Sequence, residues 1–224
     1  MTADTSDLAA DRALLDRTST ADRVADVLRT RISEGFFPPG TRLAEDAIGG
    51  ALAVSRNTLR EAFRLLTHER LLAHELNRGV FVRKLTAADV IDIYRVRQLV
   101  ECGAIRRLTA VPSLDRVELA IEEGKAAADA EDWRALGTAN IRFHQAVVAL
   151  ADSPRLDELM RGVLAELRLV FHVMDDPRQF HEPYLVRNGE IAHCLETGCF
   201  LAAEQKMAEY LGDAEHQLLK AYPA

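Results

Sequence analysis

Pro38-Pro39-Gly40-Thr41-Arg42-Leu43, then Val54-Ser55-Arg56-Asn57-Thr58-Leu59-Arg60-Glu61-Ala62, then Asn77-Arg78-Gly79-Val80-Phe81-Val82: this stretch decides how the chain is read. It has the grammar of a helix, a tight turn, a polar-faced helix and a two-stranded wing with a positive charge at its tip. That pattern suits a module that lays a short helix in the major groove of DNA. Upstream, Ala21, Val24, Ala25, Leu28 and Ile32 recur at helical spacing, and Gly35 with Pro38-Pro39-Gly40 ends that helix. A second short helix is expected with Leu43, Ala47, Ile48 and Ala51 inward. Ser55 is a good N-cap for a third, whose inward side is Leu59, Ala62, Phe63 and Leu66. Leu71 to His74 and Val80 to Arg83 read as strands around Asn77-Arg78-Gly79.

The opposite face of the third helix presents Arg56, Asn57 and Arg60, with Arg64 one turn on. Arg56 and Arg60 are four apart and project together. An arginine fork matches a phosphate or the two acceptors on a guanine edge, and an amide such as Asn57 can read adenine or bond a phosphate. The Ser55 and Thr58 hydroxyls, with the amides of a helix N-terminus, suit a phosphate oxygen. Arg42 in the turn and Arg78-Gly79 at the wing complete the candidate set, Arg78 being placed to reach a minor groove.

Charge supports this division. The whole chain carries −7, yet residues 54–84 hold 7 Lys/Arg against 3 Asp/Glu, whereas residues 85–224 hold 15 against 23. A local basic face is enough, because phosphate attraction is short-ranged at physiological salt. At 224 residues there is room for two ordinary domains. No apolar run approaches the roughly 18 residues of a membrane span. Met1 to Thr20 carries four aspartates and no basic n-region, so a secretory signal is not expected. Three cysteines without metal-ligand spacing suit a reduced, cytoplasmic protein.

From Thr86 the periodicity is helical to the end. Thr86-Ala87-Ala88-Asp89 is a capping-box variant opening a helix to about Ala110. Further helices are expected from Ser113 to Asp129, from Asp132 to Ala151, from Ser153-Pro154 to Met174, from Pro183 to Thr197 after a loop over Asp175 to Glu182, and from Phe200 to Ala221. The fold class is therefore mainly α: a winged helix-turn-helix followed by an antiparallel bundle of about six helices. The expected boundaries are a flexible arm at 1–19, a DNA-binding domain at 20–84 and an all-α effector-binding and dimerisation domain at 85–224.

The stretch from Val24 to Val82, with its PPGTRL turn, VSRNTLREAFRLL helix and RGVFV wing, resembles the winged helix-turn-helix of the GntR family of bacterial transcription regulators. By that resemblance Arg56, Arg60, Arg78 and Gly79 occupy family DNA-contact positions. Gly49-Gly50 departs from the pattern; glycine costs about 1 kcal/mol per helical position, so the second helix is expected to be short or frayed. Asp92-Ile93-Tyr94-Arg95-Val96-Arg97-Gln98-Leu99-Val100-Glu101 resembles the opening of the FCD effector domain of the FadR subfamily. That domain commonly holds a divalent metal with an Asp and three His. The resemblance aligns these ligands with Asn140, His144, Asn188 and Tyr210, so only His144 is retained.

Helical stripes point these positions inward: Trp133, Leu136, Asn140, His144, Val147 and Ala151; Leu185, Asn188, Ile191 and Leu195; Ala203, Met207, Tyr210, Ala214 and Leu218. Neutral amides and a phenol are weak metal donors, and His193 lies about 140° around the helix from Asn188. The expectation is a lost metal site and no cofactor, with Asn140, His144, Asn188 and Tyr210 bonding a small organic acid or related metabolite, and Arg97 or Arg168 pairing its carboxylate. A self-satisfied polar network without ligand is the plainer alternative.

The resemblance implies a homodimeric regulator on a pseudo-palindromic operator, with repressor the commoner role. An architectural DNA-binding dimer without effector is the runner-up. An all-α enzyme acting on a small acid is weaker still, since no nucleophile–base motif, phosphate loop or inward carboxylate cluster is found.

Overall fold

The computed structural model describes residues 19–171, 174 and 176–222; the arm expected at 1–19 lies, Ser19 apart, outside them. The chain divides into two compact units at the Arg83–Lys84 junction.

In the first unit, α1 (Thr20–Ser33) is opened by Ser19, whose hydroxyl accepts from the Asp22 amide while Asp22 returns the bond to the Ser19 amide. This capping box fixes the start one residue earlier than the apolar stripe alone suggests. The stripe Ala21, Val24, Ala25, Leu28 and Ile32 is buried, as is Leu59, Ala62, Phe63 and Leu66 of α3 (Arg56–His68), and these two helices make the core of the unit. Arg29 forks onto the Glu69 carboxylate at 2.8 and 2.6 Å, tying α1 to the end of α3.

Between them lies α2 (Glu45–Leu52), which runs helically through both Gly49 and Gly50. It buries no residue: Ala47 and Ala51 are exposed and Ile48 is half-buried, so the inward stripe expected for it is not found. The helix is too short to offer a full apolar face. It lies close on α3 through Gly49, where a Cβ would sit 3.8 Å from the Leu59 side chain. Leu43 is buried, but in a strand.

That strand, β1 (Arg42–Leu43), is absent from the sequence-based reading. It joins β2 (Leu72–Glu75) and β3 (Gly79–Val82) in an antiparallel sheet of order β1-β3-β2. The Pro38-Pro39-Gly40 turn makes this possible. Gly40 takes φ +86° and its amide reaches the Val82 carbonyl at 2.8 Å, which sets Arg42 opposite Phe81.

The second unit is helical. Thr86 and Asp89 form the expected capping box of α4 (Ala87–Arg97). The helix then widens into a π-helical segment (Gln98–Cys102) and closes as α5 (Gly103–Arg106), short of the expected Ala110. A π turn is a frequent mark of a functional position; here Glu101 and Cys102 of that turn are buried. α6 (Asp115–Asp129) starts two residues after Ser113, with Leu114 as N-cap. α7 (Trp133–Ala149) is capped by Asp132, whose carboxylate accepts from the Ala135 amide at 2.9 Å. α8 (Pro154–Val170) ends before Met174.

α9 (Pro177–Glu196) corrects the expected loop over 175–182. Asp176 caps it through the Gln179 amide at 3.1 Å with Pro177 at the first helical position, and Pro183 lies inside the helix. The Asp-Pro pair is itself a start signal, whereas Pro183, six residues on, lies in the helix interior, where it removes one ladder bond and crowds the preceding turn. α10 (Phe200–Leu219) buries the whole predicted stripe Ala203, Met207, Tyr210, Ala214 and Leu218. Among the described residues no helix is long and apolar enough to cross a membrane.

Candidate DNA-reading face and buried polar core

The sequence-predicted DNA residues gather on one module. Ser55 caps α3, accepting from the Thr58 amide at 3.1 Å, and its hydroxyl pairs with that of Thr58 at 2.8 Å. Arg56, Asn57 and Arg60 stand exposed along the first turns. The two arginines are already held by acidic residues that sequence reasoning passed over. Arg56 Nη2 lies 3.0 Å from Asp46 Oδ1, and Arg60 Nε donates to Glu45 Oε2 at 2.9 Å. Both acids occupy the first turn of α2, where the helix N-terminus favours negative charge.

At the wing, Asn77 and Gly79 take φ of +60° and +109°, which closes the tight hairpin. Arg78 folds back onto Glu75 and places its guanidinium 5.4 Å from the Phe81 ring centre. Arg42, on the neighbouring strand, runs across Gly79: a Cβ there would meet Arg42 Nε at 3.3 Å. Arg42, Arg78 and Gly79 thus lie together at the wing; the glycine is needed for its φ, and a Cβ there would also crowd the Arg42 guanidinium by a few tenths of an ångström.

In the second unit the polar positions also converge, around a residue the sequence-based reading omitted. Glu101 is fully buried, and its carboxylate accepts from Arg97 Nε at 2.7 Å and from His144 Nδ1 at 2.6 Å. Arg97, expected to await an effector carboxylate, is buried with this internal partner and lies 4.9 Å over the Tyr94 ring. Burial alone would lift the Glu101 carboxyl; the Arg97 and His144 groups beside it outweigh burial and hold it below the ordinary carboxylate range. Burial lowers the His144 imidazole below its ordinary value, a shift that Glu101 opposes and Arg97 reinforces. A neutral ring with Nδ1–H turned to the carboxylate leaves Nε2 with a bare lone pair.

Asn140 Oδ1 accepts from Asn188 Nδ2 at 2.8 Å and from the Tyr210 hydroxyl at 2.9 Å. Burial pushes the Tyr210 phenol well above its ordinary value, so it stays a donor. The network is therefore satisfied in large part, but Arg97 Nη2, His144 Nε2 and Asn188 Oδ1 are buried without a protein partner. The cavity at its centre, bounded by Tyr94, Arg97, Asn140, His144, Phe171, Tyr184 and Tyr210, measures only about 10 Å³, room for one water at most. Arg168 does not line this cavity: its guanidinium donates to Thr138 Oγ1 at 2.6 Å. Tyr94, Tyr184 and Glu101 are the polar lining and network residues that were missed; the four-residue spacing of Arg97 and Glu101 was visible, but by itself it reads as a solvated helix pair.

These residues do not fit a divalent metal. The set offers one imidazole nitrogen, the Glu101 carboxylate already paired with Arg97 and His144, an amide oxygen already accepting two bonds and a phenol held protonated. Among the described residues no group of three or more His, Cys, Asp or Glu side chains is arranged to hold a metal ion.

A basic helix with a wing, joined to a helical unit with a polar core, defines a DNA-binding transcription regulator with a sensor domain rather than an enzyme. The chain matches the family described as bacterial regulatory proteins, gntR family, over residues 20–82 and the FCD domain over residues 92–213. It belongs to the GntR family, in the branch that carries an FCD domain. It is 51% identical to a crystal structure described as a GntR transcriptional regulator from Rhodococcus sp. RHA1, with a TM-score of 0.89 over 92% of this chain and 100% of that one. Among curated relatives, it is 32% identical over 152 residues (66% of this chain, 62% of the relative) to the gluconate operon transcriptional repressor of Bacillus subtilis (strain 168). It is 28% identical over 206 residues (88% of each) to a protein described as the D-xylose utilization operon transcriptional repressor of Paenarthrobacter nicotinovorans.

Proposed function

We propose that this regulator is a homodimeric, cytoplasmic repressor on a pseudo-palindromic operator, released by a small hydroxylated carboxylic acid that enters the FCD core without a metal. Each protomer would read one half-site with α3 and the wing, Arg56 and Arg60 in the major groove and Arg78 beside Gly79 at the minor. The relatives described as repressors of gluconate and D-xylose operons support the direction of control, and the gluconate relative supports the ligand class.

The observation that carries the effector reading is the trio of unpaired buried atoms. An unsatisfied buried polar group costs roughly 1–3 kcal/mol; Arg97 and His144, whose Nη2 and Nε2 have that status, line one small cavity, and Asn188, with Oδ1 unpaired, is bonded to Asn140 of the same lining. A 2-hydroxy acid matches the two at the cavity: carboxylate oxygen to the guanidinium, hydroxyl donor to the imidazole lone pair. At about 10 Å³ the cavity must enlarge to admit it. The start of α9 is the natural part to yield, because Phe180 and Tyr184 line the cavity and Pro183 between them lacks a ladder amide.

A thermal-shift screen of sugar acids, other organic acids, sugars and acyl thioesters tests this. A hydroxy acid should raise the Tm and weaken operator binding, and by linkage operator DNA should weaken its binding by the same factor. No shift from any acid, with operator binding unaffected, would favour the second reading, an architectural dimer, to which the nearly sealed core lends its support.

A further inference from the structure

Two acidic residues of α2 hold the two groove-facing arginines of α3, but by different atoms, and the difference decides their roles. Glu45 engages Arg60 at Nε, 2.9 Å away, so the two terminal nitrogens of the guanidinium remain available as a fork. Its own side chain is 31% exposed against 66% for Arg60, so the fixed partner is the acid and the outward one the arginine. Asp46 engages Arg56 at Nη2, 3.0 Å away, one of the nitrogens a base or phosphate would need; both side chains are well exposed. The lever behind both acids is held against α3 at Gly49, where a Cβ would lie 3.5 Å from the Val54 carbonyl and 3.8 Å from Leu59.

We propose that Glu45 is a positioning residue that fixes the Arg60 fork for a guanine edge, and that Asp46 competes with DNA for Arg56. This rests on the reading of Arg60 as a base contact. A fork already anchored through Nε loses less side-chain freedom on binding, which sharpens discrimination between base pairs. A carboxylate on a terminal nitrogen must be displaced, so it restrains affinity for any duplex without favouring a sequence.

The test uses the full-length protein and the duplex it enriches from a random library. Affinities are measured for that duplex, for single base-pair exchanges in it, and for a scrambled duplex, with wild type and the E45A, E45Q, D46N and R60A variants. The base pair facing Arg60 is the one whose exchange costs wild type most and R60A least. E45A should lose about tenfold of the discrimination at that base pair while its affinity for the scrambled duplex changes little. E45Q, which keeps an acceptor for Nε, should recover most of it. D46N should bind the selected and scrambled duplexes several-fold tighter, by similar factors. E45A with full discrimination beside an R60A that has lost it would overturn the positioning role, and a D46N that binds more weakly would overturn the competition. An equal loss by E45A on every duplex would mean that the pair merely fastens α2 to α3, and would overturn it too. R60A with undiminished discrimination would remove the base-contact reading itself, and the proposal with it.

Discussion

Glu101 accepts a 2.6 Å hydrogen bond from His144, and neither side chain is more than 1% exposed. The same carboxylate neutralises buried Arg97, so it is the keystone of the FCD core. Removing one partner of a buried ion pair costs about 3–5 kcal/mol because the other charge stays behind unpaired. Glu101→Ala should therefore lower the urea midpoint at pH 7 by the equivalent of that range. A loss below about 1 kcal/mol would show that water reaches Arg97 and the core is not closed.

His181 gives stability an acid-side dependence of its own. It is 5% exposed, its Nδ1 has no protein partner, and its ring lies against Gly137, where a Cβ would come within 2.9 Å of Nε2. Burial, reinforced by the nearby Arg168 charge, lowers its pKa from 6.5 to about 4. A histidine depressed in the folded state contributes stability that is complete above 6.5 and lost as pH falls toward 4, on the order of 3 kcal/mol here. Thermal melts between pH 7.5 and 4.5 should fall less steeply for His181→Gln than for wild type. Parallel curves would contradict the assignment.

Gly79→Ala should damage the wing chiefly through its backbone. An alanine is strained at φ +109°, and its Cβ would press on Arg42 Nε. A stability loss of about 1 kcal/mol is expected, with weaker operator binding measured at matched salt. Unchanged affinity would remove the Arg42–Gly79–Arg78 cluster from the DNA-reading face.

Elemental analysis of protein purified without chelator should find no divalent ion at one per chain, and EDTA should leave the Tm in place. Tightly held zinc, nickel or manganese would overturn the metal-free reading of His144 and its amide and phenol neighbours.

How legible all this was in the sequence depends on the kind of residue. α3 was readable because Ser55 is a strong cap and Leu59, Ala62, Phe63 and Leu66 make an unbroken stripe; α10 was readable for the same reason. β1 was not, since two residues after a proline turn carry no period, and their pairing depends on the distant β3. α2 misled because spacing shows which side is apolar, whereas burial depends on how much of a neighbouring surface meets it. Glu101 was hidden by its charge: an acid four residues from an arginine reads as a solvated helix pair, and only the π turn and the approach of α7 reveal that both are interior. The start of α9 was missed because Pro183 outweighed the Asp176-Pro177 signal beside it. For Arg60 the face was readable, but the acid that holds it lies fifteen residues away on another helix.

The most direct test of the account is binding of the selected duplex by wild type, Arg56→Ala and Arg60→Ala at one fixed salt concentration, alongside a scrambled duplex. Each substitution should weaken operator binding by about 1–3 kcal/mol if the arginine reads a base, with a smaller loss on the scrambled duplex. Equal affinity of wild type and both variants for the selected duplex would contradict the assignment of α3 to the groove.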